Sequence, residues 1–198
     1  NRDIFLRSLC VMAVMLFFTA TGARSGNMTL AVNALFMQLY LLYSHFMDGF
    51  AYAGEALVGK YAGAADKHSL RRCVSHLFAW GWSLAAIFAF AYGVFNHEVM
   101  SLFSDKPEVV AFAAAYRWWI ALAPIAGMAA FIWDGVFVGL TATRQMLLSL
   151  AGATAVYFAI YFLSPFPDAN SSLWTAFLTY LAVRGVILWL CFARKNEY

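Results

Sequence analysis

Residues 129–144 read Ala-Ala-Phe-Ile-Trp-Asp-Gly-Val-Phe-Val-Gly-Leu-Thr-Ala-Thr-Arg and place one carboxylate, Asp134, inside an otherwise apolar run. A charge in hydrocarbon is costly, so such an acid is usually either functional or paired. Gly135 and Gly139 form a Gly-x-x-x-Gly pattern, which allows the backbone of a second helix to come close. The stretch therefore predicts a membrane helix that packs tightly against a neighbour. It leaves open whether Asp134 is a functional acid or makes a structural hydrogen bond to that neighbour.

The composition of the chain indicates an integral membrane protein. Of the 198 residues, 64% are hydrophobic and 12% are charged, and the mean hydropathy is +0.71. Soluble domains carry roughly 25% charged residues. Each apolar run is long enough to cross a bilayer at about 20 residues, which favours helices, and the alternating pattern of a barrel strand is not seen. The expected fold class is therefore all-α. No metal site is expected, because the three cysteines are scattered.

The apolar runs predict six transmembrane helices, at about 4–23, 29–61, 73–95, 109–140, 146–163 and 173–192. Residues 60–72 are predicted as a basic loop, 96–108 as an acidic loop, 164–172 as a further loop and 193–198 as a short tail. The first residue is Asn1, and no signal peptide is recognisable, so we expect a piece of a longer chain.

The distribution of basic residues predicts the topology. The chain has 13 Lys and Arg residues. Two of them, Arg117 and Arg184, lie within predicted spans. The side that carries both chain ends has nine, and the opposite side has only Arg24 and Lys106. By the positive-inside rule, both ends are expected in the cytoplasm, with the protein in the inner (plasma) membrane.

The second predicted helix carries a polar stripe, formed by Gln38, His45, Asp48, Tyr52 and Glu55. Their spacings of 7, 3, 4 and 3 residues place them on one face at about 100° per residue. Such a face is expected to line a protein interior or a water-filled cavity. For Asp48 the alternatives are a cavity wall that binds a cation or proton and a polar seam between helices. Glu55 is expected to pair with Lys60 at the interface, and His45 either shares a proton with Asp48 or is satisfied structurally.

Three further residues are singled out by position. Arg117 either extends towards the interface or forms an ion pair across the cavity. Trp133, next to Asp134, is a candidate for contact with an aromatic or cationic substrate. Trp174 is assigned, with Trp118, Trp119 and Trp189, to an interfacial aromatic belt.

Enzyme motifs such as Gly-x-Ser-x-Gly, His-Glu-x-x-His and the Walker sequence are absent, so no enzyme activity and no nucleotide hydrolysis are expected.

Two stretches resemble a known transporter family. They are Asp-Gly-Phe-Ala-Tyr-Ala-Gly-Glu-Ala-Leu-Val-Gly-Lys-Tyr-Ala-Gly-Ala at 48–64 and Trp-Asp-Gly-Val-Phe-Val-Gly-Leu-Thr-Ala-Thr-Arg-Gln-Met at 133–146. Both are similar to stretches of the multidrug and toxic compound extrusion (MATE) transporters, especially their DinF-like branch. With six spans in the same order, the resemblance covers essentially all of the chain. It implies that residues 1–198 form the C-terminal six-helix lobe of a twelve-helix transporter.

The resemblance also implies a function. Such transporters export small, often cationic, organic compounds in exchange for protons or sodium, through lobes that rock to give alternating access. The implied partner is an N-terminal lobe of the same protein, the coupling ion is a proton rather than sodium, and neither a cofactor nor nucleic acid is implied. Asp134 matches an acid that some branches use in a cation site. Those branches also place a glutamate on the first helix of this lobe, which helix 1 here lacks. In the DinF-like branch the protonatable aspartate lies in the other lobe.

Three other functions remain as alternatives. A lipid-linked saccharide flippase of the same superfamily would need several basic residues in its cavity, and only Arg117 and Arg184 lie in spans. An intramembrane enzyme would need a nucleophile and a base side by side, and His45 next to Asp48 is the only candidate for part of such a site. A non-transporting scaffold subunit would pair its polar stripe fully inside the helix bundle.

Overall fold

The computed structural model describes residues 2–164 and 166–194, apart from the side chain of Ile4, and all regular structure in these ranges is helical. The helices are α1 Arg2–Arg24, α2 Asn27–Gly63, α3 Lys67–Val94, α4 Asn96–Phe103, α5 Pro107–Gly139, α6 Thr143–Leu163 and α7 Ala169–Arg194. Six of them, all but α4, are long and apolar enough to cross a membrane. The predicted all-α fold with six spans is confirmed. The predictions for Asn1, for Pro165 in the 164–172 loop and for residues 195–198 of the tail lie outside the described residues.

Two of the predicted loops are wrong because helix continues into them. The acidic segment 96–108 contains α4, which holds no proline or glycine, buries Met100 and ends before Pro107 can begin α5. The basic segment 60–72 is mostly helical, with only residues 64–66 between α2 and α3. Asp66 caps α3 by accepting a hydrogen bond from the Ser69 N–H at 2.9 Å. Hydrogen bonds from Ser69 hold the pKa of the Asp66 carboxyl below its ordinary value, as expected for a carboxylate at a helix N-terminus.

Helices α2 and α5 end in the same backbone motif. At the end of α2, Ala65 adopts a φ of 53°, and the N–H groups of Ala65 and Asp66 donate to the carbonyls of Ala62 and Tyr61. At the end of α5, Thr141 adopts a φ of 54°, and the N–H groups of Thr141 and Ala142 donate to the carbonyls of Val138 and Phe137. These are Schellman motifs. Neither left-handed position is a glycine, so both carry some backbone strain.

Helix α5 is the centre of the bundle. In its most apolar 18-residue window 67% of residues are buried, whereas no other span exceeds 39%. It packs mainly against α2, α3 and α7. An added Cβ at Gly135 would lie 2.6 Å from Ala51 Cα, and one at Gly139 would lie 2.7 Å from the Glu55 carbonyl oxygen. The close backbone approach predicted from the Gly-x-x-x-Gly pattern is therefore confirmed, and its partner is α2.

The interhelical contacts also show which helix ends lie together. The beginning of α1, the last third of α5 and the second half of α7 meet at one end, through Arg7, Asp134 and Arg184. At the other end, Phe18 packs edge-on against Trp174 with ring centroids 5.1 Å apart. The assignment of Trp174 to an interfacial belt is wrong. Its side chain is 0% exposed, because α1, α2 and α7 close around it, whereas Trp118 and Trp189 are exposed.

Candidate functional site

Asp134 is held by two arginines from two other helices. The Arg7 guanidinium on α1 donates to Asp134 Oδ2 through Nη2 at 2.6 Å, and the Arg184 guanidinium on α7 donates to the same oxygen. The three side chains are mostly withdrawn from the surface, with exposures of 16% for Asp134, 11% for Arg184 and 30% for Arg7. The acid that the sequence presents as a bare carboxylate thus ties α1, α5 and α7 together.

Two tyrosines and a second acid complete the surroundings of this ion-pair cluster. The charges of Arg184, Asp134 and Asp48 all act on Tyr40, a buried residue of α2. Those of Arg184, Asp134 and Arg7 act on Tyr180, a buried residue of α7. We define the charge cluster as Arg7, Asp134 and Arg184. The two guanidinium groups share one carboxylate, and a paired charge costs less to bury than an unpaired one.

The cluster lies near one end of the spans. Asp134 is five residues from the end of α5, and Arg7 is five residues from the start of α1. At 1.5 Å per residue, each lies about 7.5 Å along its helix axis from that end. By the predicted topology this is the cytoplasmic end. The ion pairs therefore join α1, α5 and α7 near this end of the bundle.

The polar stripe on α2 lies open at the surface of the six-helix unit. Gln38, His45, Tyr52 and Glu55 are exposed, with Tyr52 exposed to 70%, and Asp48 is half-buried. The stripe belongs to α2, whose backbone at Ala51 meets Gly135, the residue after Asp134. This polar surface therefore lies at about the same level of the bundle as the charge cluster.

Of the two alternatives for His45, the structure shows the structural hydrogen bond, whereas the ion pair predicted for Glu55 is not observed. His45 Nδ1 lies 2.6 Å from the Leu41 carbonyl oxygen. A carbonyl only accepts, so this nitrogen carries the proton and donates it one turn back along α2, rather than to Asp48. Among the residues that the structure describes, no ion pair joins Glu55 to Lys60; the Lys60 ammonium instead lies 5.9 Å from the centroid of the Tyr61 ring.

Trp133 and Arg117 lie apart from the charge cluster. Trp133 is 4% exposed, and its ring packs against Phe78 and Phe192 at centroid distances of 5.0 and 4.8 Å. Adjacent residues of a helix point about 100° apart, so Trp133 does not share the face of Asp134. Arg117 is exposed, and its guanidinium lies 5.1 Å from the centroid of the Trp118 ring. Both alternatives for Arg117 remain predictions, because a partner across the cavity would belong to the proposed second lobe.

The two partners of Asp134 were missed in the sequence. Arg184 was recognised only as a basic residue within a span. A second intramembrane charge, of opposite sign and on another helix, is itself a signal for pairing. Arg7 was counted with the loop charges, but it lies within α1 and bonds to Asp134. Without Arg7, eight basic residues lie on the predicted cytoplasmic side and two on the opposite side, so the predicted topology is unchanged.

Comparisons with known proteins place this geometry in a family. The MatE family model matches residues 4–163. DNA damage-inducible protein F of Escherichia coli (strain K12) is 34% identical over 188 residues, which cover 95% of this chain and 41% of that protein. Protein DETOXIFICATION 45, chloroplastic, of Arabidopsis thaliana is 24% identical over 180 residues, which cover 91% of this chain and 32% of that protein. The chain thus spans less than half the length of these relatives.

A solved structure shares the fold. It is described as the outward-facing conformation of a multidrug resistance MATE family transporter of the MOP superfamily. It superposes with a TM-score of 0.79 at 14% sequence identity, over 98% of this chain and 44% of that one. The predicted resemblance to the MATE family and to its DinF-like branch is confirmed, and so is a multi-pass membrane protein.

Proposed function

Since this chain belongs to the MatE family of membrane transporters, we propose that it forms one half of a proton-coupled antiporter that exports small organic cations. The observation that carries the proposal is the open polar stripe of α2 beside the charge cluster. Exposed to lipid, Gln38, His45, Tyr52 and Glu55 would be costly. Against a second lobe, they would line a water-filled cleft between the two halves, as in transporters built from repeats.

Asp48 of the stripe and Asp134 of the charge cluster take different roles in this proposal. Asp48 is half-buried at the edge of the stripe, so it is placed to meet a cationic substrate that enters the cleft. Asp134 is already bonded to Arg7 and Arg184, so a substrate cation would reach it only by displacing a guanidinium. We assign Asp48 to substrate contact and Asp134 to the coupling between substrate and helix arrangement.

Protonation supplies that coupling. A neutral Asp134 would lose the charge that holds Arg7 of α1 and Arg184 of α7, and the two helices would no longer be tied to α5. A ligand shifts a conformational equilibrium only through different interactions with the two states, and this ion-pair cluster provides such a difference. Helix α1 carries no glutamate, whereas the branches with a cation site of this kind place one on the first helix of this lobe, and this supports the proton over sodium as the coupling ion.

The topology belongs to the same proposal. With both ends of the chain on the cytoplasmic side of the inner membrane, the charge cluster lies at the cytoplasmic end of the cleft. Release of the ion pairs would then free α1 and α7 from α5 at that end, and would change the surface that this half presents to the other half. In a cycle of two rocking lobes, such a change favours one of the two arrangements over the other.

Transport assays on the full-length protein test the proposal. Asp48→Asn and Asp134→Asn are compared with Asp105→Asn, which changes an exposed loop acid, in proteoliposomes loaded with a cationic fluorescent dye. We expect the first two variants to lose most of the efflux driven by a pH gradient, the control to keep it, and a sodium gradient to drive none. Wild-type efflux and pH dependence in both Asp48→Asn and Asp134→Asn would remove both acids from the mechanism.

The alternatives find less support in the same residues. For a scaffold subunit we expected a fully paired stripe inside the bundle, and four of its five members are exposed. For a flippase we expected free basic residues in the cavity. Arg184 is held by Asp134, and Arg117 lies outward over Trp118. A hydrolytic or transferase site finds no support either, since the neighbouring Ser44 hydroxyl donates to the Leu41 carbonyl oxygen at 2.8 Å rather than to His45.

A further inference from the structure

A second polar site lies at the opposite end of the bundle from the charge cluster. A cavity of about 610 Å³ opens there between the α1–α2 turn, α6 and the start of α7. This volume is within the roughly 300–1,000 Å³ of small-molecule sites. Arg24, Asp168 and Asn170 line it together with the rings of Phe17 and Phe162. The cavity therefore combines both signs of charge with an apolar wall.

The orientation of the Asn170 amide follows from its neighbours. The Trp174 indole N–H, which can only donate, bonds to Asn33 Oδ1 at 2.9 Å. This fixes the Asn33 amide, whose Nδ2 must then donate, and it does so to Asn170 Oδ1 at 2.8 Å. The Asn170 amide is fixed in turn, with its Nδ2 turned away from Asn33. Each step uses a group that has only one possible role.

The Asn170 Nδ2 is left without a protein acceptor. Asn170 is 3% exposed, and Nδ2 is buried with no hydrogen-bond partner. Leaving a buried donor unpaired is costly, and native structures rarely do so without a water, an ion or a ligand. Because this residue lines the cavity, its unpaired donor calls for a ligand with an acceptor oxygen. The fixed orientation excludes a simple flip of the amide as the remedy.

The other lining residues narrow the ligand class. Arg24 supplies a positive charge suited to a phosphate. Asp168 supplies a negative charge, while its Oδ2 accepts from the Ser171 N–H at 2.7 Å. Phe17 is partly buried and Phe162 is 70% exposed, with ring centroids 6.0 Å apart, so the apolar wall continues from the cavity to the exposed surface of α6. A ligand that matches all of these has a phosphate, a cationic group and an acyl chain.

We propose that this cavity binds the headgroup of phosphatidylethanolamine, with phosphodiester oxygens on Asn170 Nδ2 and Arg24 and the primary ammonium on Asp168. The acyl chains lie along Phe17 and Phe162. The site lies outside the proposed transport cleft, and it fastens the α1–α2 turn to the start of α7 through the lipid.

The test is lipid binding by the delipidated full-length protein, measured by native mass spectrometry with ethanolamine, choline and glycerol phospholipids of identical acyl chains. Asn170→Asp keeps the oxygen that accepts from Asn33 and replaces the donor with an acceptor, and Arg24→Gln removes the charge. Each should weaken phosphatidylethanolamine binding about tenfold, the factor that corresponds to losing one charge-assisted hydrogen bond. Lys106→Gln, an exposed cation that does not line the cavity, is the control and should bind as wild type.

Several results would overturn the proposal. They are wild-type binding by both Arg24→Gln and Asn170→Asp, equal binding of the three lipid classes, and a high-resolution map with only an ordered water at Asn170 Nδ2. Displacement by soluble glycerophosphoethanolamine at the same concentration as by the lipid would assign the site to a soluble phosphate compound instead. Arg24 is at the surface, so Arg24→Gln keeps the test decisive if Asn170→Asp does not fold.

Discussion

Replacement of Gly135 by alanine should separate α2 from α5. The new Cβ would lie 2.6 Å from Ala51 Cα and 2.7 Å from the Ala51 carbonyl carbon, whereas carbon atoms in contact are about 3.5–4.0 Å apart. The neighbouring atoms are backbone, so no side-chain rotation relieves the overlap. The two helices must move apart by about 1 Å at this level to restore ordinary contact. The predicted loss is therefore a loss of helix packing rather than of one contact.

Two opposing contributions set the expected change in the free energy of unfolding. Overpacking in a well-packed core costs about 1–3 kcal/mol, occasionally more. Replacing a helical glycine by alanine returns up to about 1 kcal/mol of helix propensity. Gly49 is the matched control, because it follows Asp48 on α2 as Gly135 follows Asp134, yet an added Cβ there meets nothing within 4 Å. Gly49→Ala should be neutral or slightly stabilising. The propensity gain is common to both variants, so Gly135→Ala should be less stable than Gly49→Ala by the overpacking cost of about 1–3 kcal/mol.

Unfolding of the purified full-length protein in mixed micelles, titrated with a denaturing detergent, measures this difference. A companion variant sharpens the test. Ala51→Gly removes the Ala51 side chain but not the backbone atoms that meet the new Cβ, so it should not restore the stability of Gly135→Ala. Equal stability of Gly135→Ala and Gly49→Ala, or full rescue by Ala51→Gly, would refute the close backbone contact between α2 and α5.

Two further changes test the ion-pair cluster and the end of α5. Arg184→Gln and Asp134→Asn should each destabilise the bundle. The double variant should lose less stability than the sum of the two, with a coupling free energy of about 1–3 kcal/mol in a double-mutant cycle. The control is Arg117→Gln, at an exposed arginine in a span, which should change the free energy of unfolding by less than about 1 kcal/mol. Additive effects at positions 134 and 184 would contradict the pairing. Thr141→Gly should raise stability by about 1 kcal/mol, because glycine adopts the φ of 54° without a Cβ clash. Thr143→Gly, at the first residue of α6, is its control and should give no gain in the same unfolding assay.

The fold could be predicted from the sequence because its determinants are local. Runs of apolar residues long enough to cross a bilayer define the six spans, and the spacing of Gly135 and Gly139 indicates the close helix contact. The short helix α4 was missed because eight residues carry too little periodicity to separate them from a loop. The burial of Trp174 was missed because a tryptophan near a span end is typical of the interface, and only the joint packing of α1, α2 and α7 decides otherwise.

The candidate site depends on contacts that no single stretch contains. Asp134 lies 127 residues from Arg7 and 50 from Arg184, and the sequence presents each of the three as an isolated charge. The cost of an isolated charge in hydrocarbon is nevertheless the information that was available, since it requires a partner for every intramembrane charge. The pairing of Asp134 with Arg184 would have followed from that requirement. Arg7 lies at a helix start, where the membrane interface can also solvate its charge, so the same requirement does not predict its pairing. The distinction matters for the proposed mechanism, because protonation of an acid held by two guanidinium groups would release two helices, whereas protonation of a bare acid would change only its own charge.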